Sequence, residues 1–107
     1  MEIRKYDVVL VRLDPTVGKE IQKTRPAIIV SPDEINKNWS PVVIVPLTSA
    51  LRPLDFRVDV QFDKKKGQAA IDQIKAVDKS RILKKLGSLS PKDAKNLGDW
   101  MKVFFED

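Results

Sequence analysis

Four short apolar segments, each bounded by proline or charged residues, constrain this 107-residue chain more than any other feature. Tyr6–Leu13 (YDVVLVRL) and Ala27–Ser31 (AIIVS) are rich in β-branched residues, whose stiff side chains suit a pleated surface. Val42–Val45 (VVIV) follows, and Arg57–Phe62 (RVDVQF) alternates with period two at Val58, Val60 and Phe62. Asp63–Gly67 (DKKKG) reads as a hairpin turn, after which Gln68–Val77 resumes strand character. Strands at this spacing, with no long helix between them, predict a compact antiparallel barrel.

Helical signals are confined to two places. Pro32–Asn38 has the composition of a short helical turn. At the C-terminus, Ser90 is a good N-cap, Pro91 fits the first helical position, and Asp93 completes an S-x-x-D capping box. Leu97, Trp100, Met101 and Phe104 then recur at i, i+3, i+4 and i+7, an apolar stripe with which the helix packs on the barrel. Trp100 and Phe104 are accordingly read as core. No repeat, low-complexity tract or linker divides the chain, and residues 1–107 are read as a single domain.

Composition removes several chemistries. There is no cysteine, so disulfides, thiolate nucleophiles and zinc–sulfur sites are excluded. There is no histidine, which excludes Ser-His-Asp triads and two-histidine nuclease mechanisms. The N-terminal residues carry Glu2, Arg4, Lys5 and Asp7 and lack the apolar core of a signal peptide. No apolar run approaches the roughly 20 residues that cross a bilayer. The expectation is a cytoplasmic protein without a membrane partner. The formal net charge of +5 favours a polyanionic partner. Lys75, Lys79, Arg81, Lys84 and Lys85, set against Asp78 alone, concentrate that charge.

Three ordered segments carry more specific information. The first is Asp14-Pro15-Thr16-Val17-Gly18-Lys19-Glu20 followed by Thr24-Arg25-Pro26-Ala27. The second is Val45-Pro46-Leu47-Thr48-Ser49, and the third is Asp72-Gln73 with Val77-Asp78-Lys79-Ser80-Arg81 and Leu86-Gly87 behind it. In order and spacing, over nearly the whole chain, they resemble the MazF/PemK toxin family. The resemblance implies a mainly β fold, a small SH3-like antiparallel barrel with a C-terminal α-helix, assembled as a homodimer. It further implies a sequence-specific endoribonuclease that cuts single-stranded RNA without metal or other cofactor. The implied partner is a cognate antitoxin whose acidic C-terminal segment covers the RNA-binding surface.

Within that resemblance, Arg25 and Thr48 are the expected catalytic residues, with Glu20 and Asp72 as accessory carboxylates. Arg25 precedes Pro26, whose ring restricts its predecessor to extended backbone, so the guanidinium leaves a constrained point. Its planar paired donors match phosphate oxygens and stay charged at any working pH. The Thr48 hydroxyl, at the end of an apolar strand, donates or accepts. Asp72 and Gln73 interrupt an apolar strand, so one of them faces the interior or a groove. In some relatives an arginine two positions before the corresponding aspartate is assigned a catalytic role; here that position is Ala70, which argues against an acid–base pair built on it. Lys19, Gln22, Lys23, Ser49, Arg52, Phe56 and Gln73 are the expected RNA contacts. A gyrase-poisoning toxin of the same architecture is the rival reading, but such toxins need a tryptophan near the last residues, and Trp100 sits within the helix stripe. A nucleic-acid-binding barrel without catalysis is the second alternative.

Overall fold

A computed structural model describes residues 1–13 and 24–107. Within them seven strands form one curled antiparallel sheet. β1 spans Asp7–Arg12, β2 Thr24–Ile29, β3 Pro41–Thr48, β4 Arg57–Phe62, β5 Lys65–Ala70, β6 Lys75–Asp78 and β7 Ile82–Ser88. The strands lie in the order β4-β5-β3-β2-β1-β7, with β6 also paired to β3. Helix α1 covers Asp33–Asn38 and α2 covers Pro91–Phe104. The sheet is a half-barrel rather than a closed one: its end strands β4 and β7 share no ladder among the described residues. They nevertheless approach closely, because the Phe62 ring of β4 lies against Gly87 of β7.

The central strands are buried on both faces, and that is why VVLV, AII and VVIV run continuously instead of alternating with polar residues. Val8, Ile28, Val45, Leu47, Val58 and Ala69 point to one core, which Leu89, Ala94 and Leu97 close from the α2 side. Val9, Val11, Ala27, Ile29, Val42 and Ile44 point to a second core on the opposite face. Strand β4 alternates cleanly because only one of its faces is covered.

Several local expectations need correction. The hairpin turn is Asp63-Lys64 alone, both residues having positive φ (52° and 62°), which is the two-residue turn that matches strand twist. Lys65, Lys66 and Gly67 therefore belong to β5. The expected strand Gln68–Val77 is split by a 3₁₀ turn, Ile71–Gln73. On one side of β3, Leu47 and Thr48 pair with β5, whereas Pro41–Ile44 pair with β6. The turn bridges the step between the two ladders. Strand β7 had no clear sequence signature, and its pairing explains this. Its ladder with β1 shifts register twice, between Val8 and Val9 and between Leu10 and Val11, which breaks the period-two pattern.

Helix α2 follows its sequence closely. Ser90 Oγ accepts a hydrogen bond from the Asp93 amide at 3.2 Å. The second half of the expected capping box is redirected, since the Asp93 carboxylate accepts from the Gln61 amide at 3.0 Å and so protects the edge of β4. Leu97 is fully buried, while Trp100 and Phe104 meet the Phe56 ring edge-on, with centroids 6.0 and 4.9 Å away. Gly98 permits this docking, because a Cβ there would come within 2.9 Å of the Tyr6 hydroxyl. No helix among the described residues is long and apolar enough to cross a membrane.

Asp7 fastens the start of the chain to β7. Its carboxylate, 3% exposed as a residue, accepts from the Arg4 amide at 2.8 Å and the Ser88 hydroxyl at 2.7 Å, and pairs with Lys85 at 3.1 Å. Burial pushes this carboxyl up, but the hydrogen bonds and the lysine charge outweigh it and hold the group below the ordinary aspartate value. A folded-state value below the unfolded one stabilises the protein at pH above about 4, and the contribution is lost as pH falls further. Urea titrations across this range should show the wild type losing stability below pH 4 more steeply than Asp7→Asn. Leu97→Ala should lower stability at neutral pH by about 2–5 kcal/mol through cavity formation, read from the same titrations.

Candidate active site

Strands β2 and β3 pair through Ile29–Ile44, Ile28–Val45 and Ala27–Pro46, and the ladder stops there. Both strands carry a proline at this point, Pro26 and Pro46, and neither has a backbone N–H to extend it. Carried outward by two residues, the same register sets Arg25 opposite Thr48 on one face of the sheet. Arg25 still pairs with Val11 of β1, and Thr48 with Gln68 of β5. Each side chain is thus held by a strand on its far side, beyond the last β2–β3 pair. Arg25 is exposed and Thr48 half-buried.

The ends of the two strands border a cavity of about 740 Å³, within the range of ligand sites. Arg25, Thr48 and Ser49 line it together with Lys65, Phe62 and Gly87. The Thr48 Oγ accepts from the Ala50 amide at 3.1 Å, so the hydroxyl proton remains to donate elsewhere. Gly67 eases the close approach of β5 to Thr48, since a Cβ there would stand a tight 3.1 Å from the Thr48 carbonyl oxygen.

The loop after Thr48 is fixed by a residue that sequence reasoning missed. Gln68 is 5% exposed, and its amide oxygen accepts from the Arg52 N–H at 2.8 Å. The amide nitrogen of Gln68 donates to the Arg52 carbonyl at 3.0 Å and to Asp59 Oδ1 at 2.9 Å. Gln68 therefore pairs with the loop as a strand backbone would. The only sequence signal was a lone amide on an otherwise small and apolar stretch, Gly67-Gln68-Ala69-Ala70.

The other expected site residues are dispersed. Asp72 binds Arg57 through two hydrogen bonds of 2.6 and 3.0 Å. That bond, with the guanidinium charge, holds the Asp72 carboxyl below its ordinary value despite partial burial. Asp72, Gln73, Arg52 and Phe56 do not line the cavity. The Phe56 ring, expected to face nucleotides, is packed against Trp100 and Phe104. Lys19, Glu20, Gln22 and Lys23 lie outside the described residues.

The basic stretch from Lys75 to Lys85 proves largely architectural. Lys79 donates to the Asn36 carbonyl at the end of α1, Arg81 to the Arg12 carbonyl at 3.3 Å, and Lys85 pairs with Asp7. The cations at the cavity are instead Arg25, Lys65 and Lys66, two of them from the hairpin that the sequence presented as a turn.

Comparison with known proteins gives a consistent result. The family model described as PemK-like, MazF-like toxin of type II toxin–antitoxin system matches residues 4–105. The Endoribonuclease MazF of Staphylococcus epidermidis is 32% identical over 94 residues, covering 82% of this chain and 78% of that protein. The crystal structure of MazF (Form-I) from Deinococcus radiodurans superposes with a TM-score of 0.87 at 19% identity, covering 100% of this chain and 99% of that one. An endoribonuclease in complex with its cognate antitoxin from a mycobacterial species gives 0.80 at 20% identity, covering 94% and 92%. At these identities the solved structures support the fold.

Replacing Gln68 by Leu should leave the Arg52 amide and carbonyl without their partners. Such a buried loss costs about 1–3 kcal/mol. Thermal unfolding should fall accordingly, and amide hydrogen exchange should accelerate at residues 50–54 while that of β2 stays unchanged.

Proposed function

The chain belongs to the PemK-like, MazF-like toxin family of type II toxin–antitoxin systems, and on that footing we propose that it is a sequence-specific endoribonuclease cleaving single-stranded RNA. The observation that carries this reading is the register that brings Arg25 and Thr48 to one cavity mouth. A permanently charged fork and a hydroxyl donor at the end of two rigid strands form a seat for a phosphodiester.

The nucleophile belongs to the substrate. The ribose O2′ loses its proton and attacks phosphorus, the bond to O5′ breaks as that oxygen takes a proton from solvent, and the products are a 2′,3′-cyclic phosphate (or the 3′-phosphate from its hydrolysis) and a 5′-hydroxyl. Arg25 binds the nonbridging oxygens and offsets the charge that grows on them in the transition state. Preorganised donors of this kind are typically worth about 10²–10³ in rate each. Thr48 adds a second donor and keeps the phosphate in register. The guanidinium cannot accept the O2′ proton, because it does not deprotonate at ordinary pH. Asp72 is a poor acceptor, bound to Arg57 and held in its charged form. We assign proton acceptance to Glu20 and give Asp72 a supporting role through Arg57. No step requires a metal ion.

Substrate contacts are assigned by nearness in the chain to Arg25 and Thr48. Lys19, Gln22 and Lys23 precede Arg25 in the chain, Ser49 and Arg52 follow Thr48, and these residues read the strand. Gln73 is the last residue of the 3₁₀ turn, beside Asp72, and contributes at the end of the track. The protein works in the cytoplasm as a homodimer. The antitoxin competes for this surface with an acidic segment whose carboxylates replace phosphates on Arg25 and its neighbouring lysines.

Incubating the purified protein with a long RNA and mapping the ends tests the reading. Discrete cuts ending in 5′-hydroxyls are expected, and retardation of an intact RNA would instead identify a binding protein. Arg25→Ala should reduce cleavage by at least about 10²-fold with little change in melting temperature. A 2′-deoxy substitution at the cleaved nucleotide should stop the reaction, and excess chelator should leave it unchanged. Cleavage of the deoxy substrate would exclude O2′ attack, and recovery by added magnesium would require a metal.

A further inference from the structure

We propose that the β4–β5 hairpin forms a second nucleotide seat beside the phosphate site, with Lys65 binding a neighbouring phosphate and the Phe62 ring carrying the intervening base. This rests on the reading of the cavity as an RNA site and extends it to residues that the family motifs do not contain.

The register of the hairpin leads to it. Phe62 pairs with Lys65 directly across the Asp63-Lys64 turn, and residues paired in this way project from the same face. Val58 and Val60 precede Phe62 on that face and are buried in the core. Lys65 thus ends a row of core-facing positions, where an apolar side chain is the usual occupant. It is exposed, lines the cavity, and enters none of the ion pairs formed among the described residues. A cation that faces inward without a carboxylate partner is placed to receive an anion from solvent.

Phe62 supplies the complementary surface. Its ring is only partly buried although it sits at the end of the apolar row. Gly87 makes room for it: a Cβ there would lie 3.1 and 3.2 Å from two ring atoms, and its φ of 154° disfavours a side chain. The ring is therefore backed by the β7 strand and turned to the cavity it shares with Arg25. Aromatic faces backed in this way bind any base by stacking, and a lysine beside them tracks the backbone charge. A cavity of about 740 Å³ holds more than a single phosphate group. Asp63 also borders it, and its charge keeps the strand on the Lys65 side of the hairpin tip.

The test measures binding of a short single-stranded 2′-deoxy oligonucleotide of mixed sequence by fluorescence anisotropy at several salt concentrations. Lys65→Ala should weaken binding about tenfold at low salt and reduce the slope of log K against log salt by about 0.7, the value for one phosphate on a single strand. Lys64→Ala removes the same charge from the turn, outside the cavity, and should leave the slope unchanged. Equal losses for the two variants would overturn the seat in favour of a general electrostatic effect. Phe62→Trp should retain affinity and Phe62→Leu lose it about tenfold, each checked for folding by its melting curve; wild-type affinity in a folded Phe62→Leu protein would overturn the stacking role. The ribonuclease reading fails separately. If the wild type cuts no RNA and Lys65→Ala still loses its salt slope, the seat stands and catalysis does not. If cutting proceeds with KM and slope unaltered in Lys65→Ala, catalysis stands and the seat does not.

Discussion

The β2–β3 ladder is the constraint on which the rest of this protein depends. Its inner rungs are fully buried on both faces, so Ala27, Ile28, Ile29, Ile44 and Val45 are locked between two cores. Its outer end stops at two prolines that have no hydrogen to give. A strand pair that is laddered on one side of a point and unpaired on the other, with a cavity at its end, gives that cavity fixed walls. Arg25 and Thr48 stand on those walls rather than on loops, which limits how far either side chain's origin can drift.

Around the cleft, each supporting contact replaces what an ordinary sheet would supply. Gln68 gives the loop after Thr48 the paired hydrogen bonds of a neighbouring strand. Gly67 lets β5 approach the Thr48 carbonyl, and Gly87 lets the Phe62 ring lie on β7. A side chain at either glycine would fill space that the cavity wall occupies.

Charge is divided by use. Lys79, Arg81 and Lys85 are spent on carbonyls and on Asp7, where they hold elements together. Arg57 is spent on Asp72. The cavity draws on Arg25, Lys65 and Lys66, so its electrostatic character owes little to the segment where the sequence is most basic. The aromatic residues divide in the same way. Phe56, Trp100 and Phe104 join α2 to the sheet, and Phe62 is the ring that reaches the cavity.

From sequence alone, strand chemistry, the C-terminal helix with its Ser90 cap, and the absence of histidine and cysteine chemistry were all legible, because each is written in local composition and period. The motifs single out Arg25 and Thr48, although nothing in the chain order says that they line one cavity. Tertiary structure decided the remainder. Strand β7 escaped notice because its two register shifts scramble the alternation that identifies a strand. Asp72 was separated from the cavity by a partner, Arg57, fifteen positions away in the chain. Lys65 was hidden in an apparent turn, since only the two positive φ angles at Asp63 and Lys64 show where the turn ends and which face the next side chain takes. Period and propensity are properties of neighbours along the chain, whereas a site is a property of register, and register is set by which strands the sheet brings together.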